Sequence, residues 1–269
     1  MHPYILAALF GLQLPQTLAA PLGSGATAIT PGGYRLNTSI HPVPLGGRIA
    51  HVGGTMHVLD AAGDVVQIAS PATRKTAPVP EEQQGWIAYA SWLNSDSSSP
   101  ISSFTTTWTV PQVPAADHGQ TIFLFNSIEP ASGDAIMQPV LQYGPSAAGG
   151  GDFWTVATPG QTLTGTITLV SQSDTTYSYN AQFTNIDGTA LAIDGNEQLA
   201  WATETLEAYG VTEADDYPAG STVFSGINIA LASGAVPDVA WGNADDVADG
   251  LAATVDVDGA TDAQIRITY

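Results

Sequence analysis

Three glutamates and one glutamine stand apart from the other polar residues because apolar neighbours flank them. Glu204 and Glu207 lie in Leu199-Ala-Trp-Ala-Thr-Glu-Thr-Leu-Glu-Ala-Tyr209, and Glu129 closes the apolar run Ile122-Phe-Leu-Phe-Asn-Ser-Ile128. A carboxyl in such a strand-like run is either on the exposed side or partly desolvated with a raised pKa, the state that suits acid or base work. Alternation separates the first two: Glu204 shares a face with Ala202 and Leu206, Glu207 with Thr203 and Thr205, and position alone does not choose between them. Gln138 sits in Ala135-Ile-Met-Gln-Pro-Val-Leu-Gln-Tyr143. A buried amide there either satisfies neighbouring backbone or donates to a developing oxyanion.

Little other chemistry is open to this chain. It has no cysteine, and beyond Lys75 it holds one histidine, one arginine and no lysine. Thiol nucleophiles, disulfides and cysteine metal sites are excluded together, and a zinc site of several histidines cannot be assembled. A Ser-His-Asp arrangement would have to use His118, which lies in Pro114-Ala-Ala-Asp-His-Gly-Gln120 and reads as an exposed loop residue. Carboxylates helped by amides and aromatics remain as proton-transfer machinery. The formal net charge of -20 repels nucleic acid and anionic membrane surfaces.

The elements that must position these groups are strands. The chain of 269 residues is 44% hydrophobic, which suffices for a sizeable core in one principal domain. From Trp86 onward, short alternating runs rich in Thr, Val, Ile and aromatics are separated by Gly, Pro, Asp and Ser clusters. In Phe104 to Val110, Phe104, Trp108 and Val110 fall on one face and Thr105, Thr107 and Thr109 on the other. Similar runs are 121–128, 135–143, 161–171, 175–184, 189–194, 198–209, 221–231 and 263–269, with turns at Asp187-Gly188 and Asp194-Gly195. The expected fold is all-β: a two-sheet antiparallel β-sandwich of jelly-roll, concanavalin A-like type. The acidic stretches Asn243 to Gly250 and Asp256 to Gly259 read as solvated turns, since neither has a full calcium ligand set.

The N-terminal third differs in charge. Arg35, Arg48, Arg74, Lys75 and four of the five histidines precede position 76, whereas 23 carboxylates follow it. Residues 1–20 carry a short apolar run followed by small residues, the pattern of a cleaved signal peptide and so of a secreted protein. Arg74-Lys75 lies in a Pro-rich linker and is a plausible processing site, so residues 21–75 are either a propeptide or a small N-terminal β-module, and 76–269 the sandwich domain. Gly54 to Ala69 looks like a hairpin. The one N-x-[ST] sequon, Asn37-Thr38-Ser39, is in this leader.

The ordered set of motifs resembles the fungal glutamic peptidases, the eqolisin family, over roughly residues 86 to 210. Phe104 to Pro111 is similar to that family's strand ending in Val-Pro, and Ser127-Ile-Glu129 to its Gly-Ile-Asp segment. Ala135-Ile-Met-Gln138 resembles the stretch bearing the catalytic glutamine, and Ala200-Trp-Ala-Thr-Glu204 the stretch bearing the catalytic glutamate. The resemblance implies a secreted acid endopeptidase, a zymogen acting as a monomer on polypeptide substrates without metal or cofactor. Gln138 would stabilise the oxyanion and Glu204 would act as general acid and base; Glu129, Trp108, Trp154 and Trp201 are read separately as substrate-binding candidates, the three tryptophans as the wall of a sugar cleft in the glycosidase alternative. The family's longer segment after the glutamine is reduced here to Asp152-Phe-Trp-Thr-Val-Ala157. Two rivals make different demands. A jelly-roll glycoside hydrolase needs Glu129 and Glu204 facing one groove, and a non-catalytic carbohydrate-binding sandwich needs an open aromatic face.

Overall fold

The computed structural model describes residues 5–8, 26–69, 85–133, 135–147, 157–173, 175–246 and 248–269. Among them the N-terminal strands are β1 (Ile5–Ala8), β2 (Thr27–Thr30), β3 (Gly33–Leu36), β4 (Arg48–Val52), β5 (Thr55–Leu59) and β6 (Val65–Ala69). Then come β7 (Trp86–Leu93), β8 (Ile101–Thr109), β9 (Thr121–Pro130), β10 (Ala135–Gln138), β11 (Val140–Tyr143), β12 (Thr162–Gln172) and β13 (Tyr177–Phe183). The last are β14 (Leu191–Asn196), β15 (Leu199–Tyr209), β16 (Ser221–Leu231), β17 (Gly242–Ala244), β18 (Ala252–Val257) and β19 (Ala263–Thr268).

All but β2 and β3, which pair only with each other, form a two-sheet sandwich. One sheet runs β1-β10-β9-β15-β7-β17, with β11 also pairing β9; the other runs β18-β19-β16-β8-β12-β13-β14-β4-β5-β6. Pairing is antiparallel except where β1 meets β10 and β14 meets β4. β1 falls within the segment read as a signal peptide, most of which lies outside the described residues. The expected hairpin at 54–69 is present as the β5–β6 pair. β4 joins it to the larger sheet, so this leader segment continues the sandwich through backbone hydrogen bonds.

Alternation explains the layers. On β8 and β12 the residues Phe104, Trp108, Leu163 and Ile167 point inward, while Thr105–Thr166 and Thr107–Thr164 meet on the outer side through hydroxyl contacts of 3.4 and 3.2 Å. β9 and β15 are different, being buried over nearly their whole length on both faces. Ile122, Leu124, Ile128, Ala202 and Leu206 face the other sheet and join the main core. Phe123, Phe125 and Trp201 face the opposite way and form a second cluster with Trp86, Ile136, Val140 and Ile29.

Ile29 comes from the β2–β3 hairpin, which therefore covers the outer face of the smaller sheet. One turn expectation needs correcting. Asp194-Gly195 lies inside β14 as a bulge, where Tyr177 pairs with Asn196 but Tyr179 with Ile193, and Gly195 takes the positive φ this requires.

Candidate functional site

The three glutamates and Gln138 all sit on strands of the sandwich, but on two different faces. Glu204 pairs with Asn126 of β9 and Ala90 of β7. Its side chain enters the layer between the sheets, where the Thr106 hydroxyl of β8 faces it. Asn126 points the same way: a Cβ on Gly165 of β12 would lie 2.2 Å from its Oδ1, so only glycine fits there. Glu204, Asn126 and Thr106 are all fully buried. Burial drives the Glu204 carboxyl well above the usual range, and the Thr106 hydroxyl only partly opposes this.

Gln138 faces outward. In β10, Ile136 belongs to the outer cluster and Met137 to the inter-sheet core, so the next residue shares the side of Ile136. The register Met137–Ile128 sets Gln138 opposite Ser127 and diagonal to Glu129. The expected pairing of Gln138 with Glu204 is therefore not assembled: the sheet lies between the two side chains. Pro139 intervenes before the register resumes at Val140–Phe125, and its ring approaches the Gly165 position, on the inner side.

The outer face brings together a different set. Gln138 is fully buried, and neither its Oε1 nor its Nε2 has a hydrogen-bond partner among the described residues. Beside it, Ser127 and Thr203 hydroxyls meet at 2.6 Å, and Thr203 continues to Thr205 at 2.9 Å. Glu129 pairs with Trp201, which stacks on Trp86 with ring centroids 5.6 Å apart and packs edge-on against Tyr89. A carboxyl, an amide and a hydroxyl chain thus adjoin an aromatic wall. Such a set can hold a water and donate a hydrogen bond to a developing oxyanion.

Glu207 lies on this face too, at its far end. The backbone N–H of Gly32, at the hairpin tip, donates to its Oε1 at 2.7 Å, and the Tyr209 hydroxyl donates to the same oxygen. Tyr34 packs edge-on against Tyr209. Burial pushes the Glu207 carboxyl up to about 8, against the pull of Tyr209, Gly32, Arg35 and Trp86.

Other expected site residues fall elsewhere. Trp108 is in the inter-sheet core against Phe183 and Phe224 and lines no outer cleft, because its even position on β8 faces the sandwich interior. Trp154 lies outside the described residues, as does Arg74-Lys75. His118 is bound more specifically than a free loop residue. Its Nδ1 meets Asp216 Oδ1 at 2.7 Å and Thr212 Oγ1 at 3.2 Å. Both partners use one ring nitrogen, so this is no nucleophile–base–acid relay.

The hydrogen bond that the His118 Nδ1–H donates to Asp216, reinforced by the carboxylate's charge, raises His118. Asp216 is held at about 2: burial would raise it, but the Thr212 amide and hydroxyl, His118 and the Glu213 amide outweigh that. His118, Glu213 and Asp216 could together offer three ligand atoms to a cation. Both Asp216 oxygens are already engaged by protein donors.

No family model matches the sequence, and no curated protein matches it. Solved structures similar to the chain do exist. One is scytalido-glutamic peptidase with a peptide-based transition-state analogue, at TM-score 0.46 and 13% identity, covering 69% of this chain and 98% of that one. Another is SCP-B, a member of the eqolisin family, in a complex with the tripeptide Ala-Ile-His, at TM-score 0.47 and 14% identity with the same coverage.

Proposed function

We propose that the protein is a secreted acid endopeptidase whose catalytic pair is Glu129 and Gln138, with its N-terminal segment acting as a propeptide over the site. One observation carries the reading: a fully buried side-chain amide without a partner among the described residues, Gln138, faces the same side of the sheet as Glu129, one diagonal position away. Diagonal neighbours on antiparallel strands stand about 7 to 8 Å apart, within reach of one shared water for two long side chains. Glu129 would take a proton from that water as it attacks the scissile carbonyl. Gln138 Nε2 would donate to the oxyanion, and Glu129 would return the proton to the leaving nitrogen.

The glycosidase rival fares worse. Glu129 and Glu204 point to opposite faces, and Glu129 and Glu207 lie six residues apart along the strands, about 20 Å at 3.3 Å per residue. Glycosidase carboxyl pairs need about 5 to 9.5 Å.

Because Ile29 and Gly32 cover the face, substrate enters only once the N-terminal segment leaves. The test is hydrolysis of a denatured protein from about pH 2 to 7, which brackets carboxyl titration. It is run before and after cleavage at Arg74-Lys75, with Glu129→Gln and Gln138→Ala alongside. Acid-side activity that appears on cleavage and vanishes in both variants is expected. Full activity in either variant ends the assignment.

A further inference from the structure

The inter-sheet layer contains a group that this chemistry leaves unused. Glu204 Oε1 and Oε2, Asn126 Oδ1 and Thr106 Oγ1 are all buried without a hydrogen-bond partner in ordinary geometry among the described residues. They converge around Gly165. Thr106 is its register partner on β8, and Asn126 Oδ1 fills the space above its Cα. Asn126 and Glu204 are register partners on adjacent strands.

The donor count is decisive. With Glu204 ionised there is one donor left, the Thr106 hydroxyl, since the Asn126 amide N–H is turned to the Gly165 carbonyl, for three acceptor oxygens and an uncompensated charge. Among the described residues no charged side chain acts on Glu204 from the elements around it: β7 presents Ala90, β9 Asn126, β8 Thr106 and β12 Gly165. An isolated ion in such a layer costs far more than keeping the proton. One proton on Glu204 removes the charge and supplies the missing donor.

We infer that Glu204 is a neutral carboxylic acid that donates its O–H to Asn126 Oδ1, fastening β9 to β15 from inside the sandwich. It is a positioning residue: the two strands it ties carry Ser127, Glu129 and Thr203 on their other side. Burial, which favours the protonated form, agrees with this geometry. The inference stands whether or not the outer face hydrolyses peptides.

Infrared spectra of the full-length chain test it directly, using wild type, Glu204→Gln and Glu204→Ala. Near neutral pH, the wild-type minus Glu204→Gln difference, in which Glu207 cancels because both proteins carry it, should show the carbonyl stretch of a protonated carboxylic acid. Glutamine carries an N–H where the acid carries its O–H, so Glu204→Gln should keep the wild-type urea midpoint and the wild-type pH profile of hydrolysis. Glu204→Ala should lower the midpoint clearly. A carboxylate band in the difference spectrum overturns the inference. So does a Glu204→Gln protein that folds normally but no longer hydrolyses a substrate that wild type does. Should no variant hydrolyse anything, the peptidase reading falls, and the infrared and urea results still decide the state of Glu204.

Discussion

The two faces of β9 and β15 make an instructive contrast, because the same two strands present polar groups to both. Inside, Glu204, Asn126 and Thr106 sit between sheets joined by the main core. Outside, Glu207 lies under a hairpin that reaches the sheet through Ile29, Tyr34 and the Gly32 amide, and Glu129 and Gln138 share that face of the sheet. The inner set can be reached only by taking the sandwich apart. On the outer face the hairpin tip closes over Glu207. Equal burial therefore has different sources: the packing of two sheets on one side and, at Glu207, a two-stranded hairpin on the other.

Substitutions on the two faces should separate accordingly. The largest effect is expected at Gln138→Ala, with about a 10²- to 10³-fold loss of kcat in acid hydrolysis, the usual cost of an oxyanion donor, and little change in urea midpoint. Next is Glu204→Ala, which should cost about 2 to 5 kcal/mol in urea unfolding through cavity and orphaned Asn126. Gly165→Ala comes third, since its methyl would collide with Asn126 Oδ1; about 1 to 3 kcal/mol is expected from such overpacking.

A fourth test concerns the cover itself. Glu207 has its folded-state value raised to about 8 from 4.5. Its contribution is thus fully present below pH 4.5 and is lost as pH rises through about 8. Urea midpoints measured across that window should fall with pH, and Glu207→Gln should flatten this part of the slope. The smallest effect is expected at His118→Ala. His118 is raised above 6.5, so its share is present below 6.5 and lost at higher pH. Asp216 is lowered to about 2, so its share is present above 3.8 and lost as pH falls through 2. A modest loss of Tm confined to the span between, and closing on either side, is the expected scan.

Much of the fold was legible from period-two patterns. Residues 221–231 form one strand from end to end, and the inward set Phe104, Trp108 and Val110 is buried as alternation requires. Strands β17 and β18 were missed, since Gly-Asn-Ala and an acidic Ala-Ala-Thr-Val-Asp-Val segment show too little contrast between faces. The four polar residues were found because apolar flanks mark desolvated positions. Their grouping was not, for alternation assigns faces within a strand and is silent about which face of one strand matches which face of another.

The amino-acid sequence by itself determined the class of structure, the absence of thiol, lysine and multi-histidine chemistry beyond Lys75, and the shortlist of Glu129, Gln138, Glu204 and Glu207. Only the tertiary structure decided that Gln138 belongs with Glu129, that Glu204 is sealed between sheets, and that a backbone amide 175 positions away closes on Glu207. The physical reason is that local periodicity is written along the chain, whereas sheet register and the packing of one layer on another depend on contacts between distant segments.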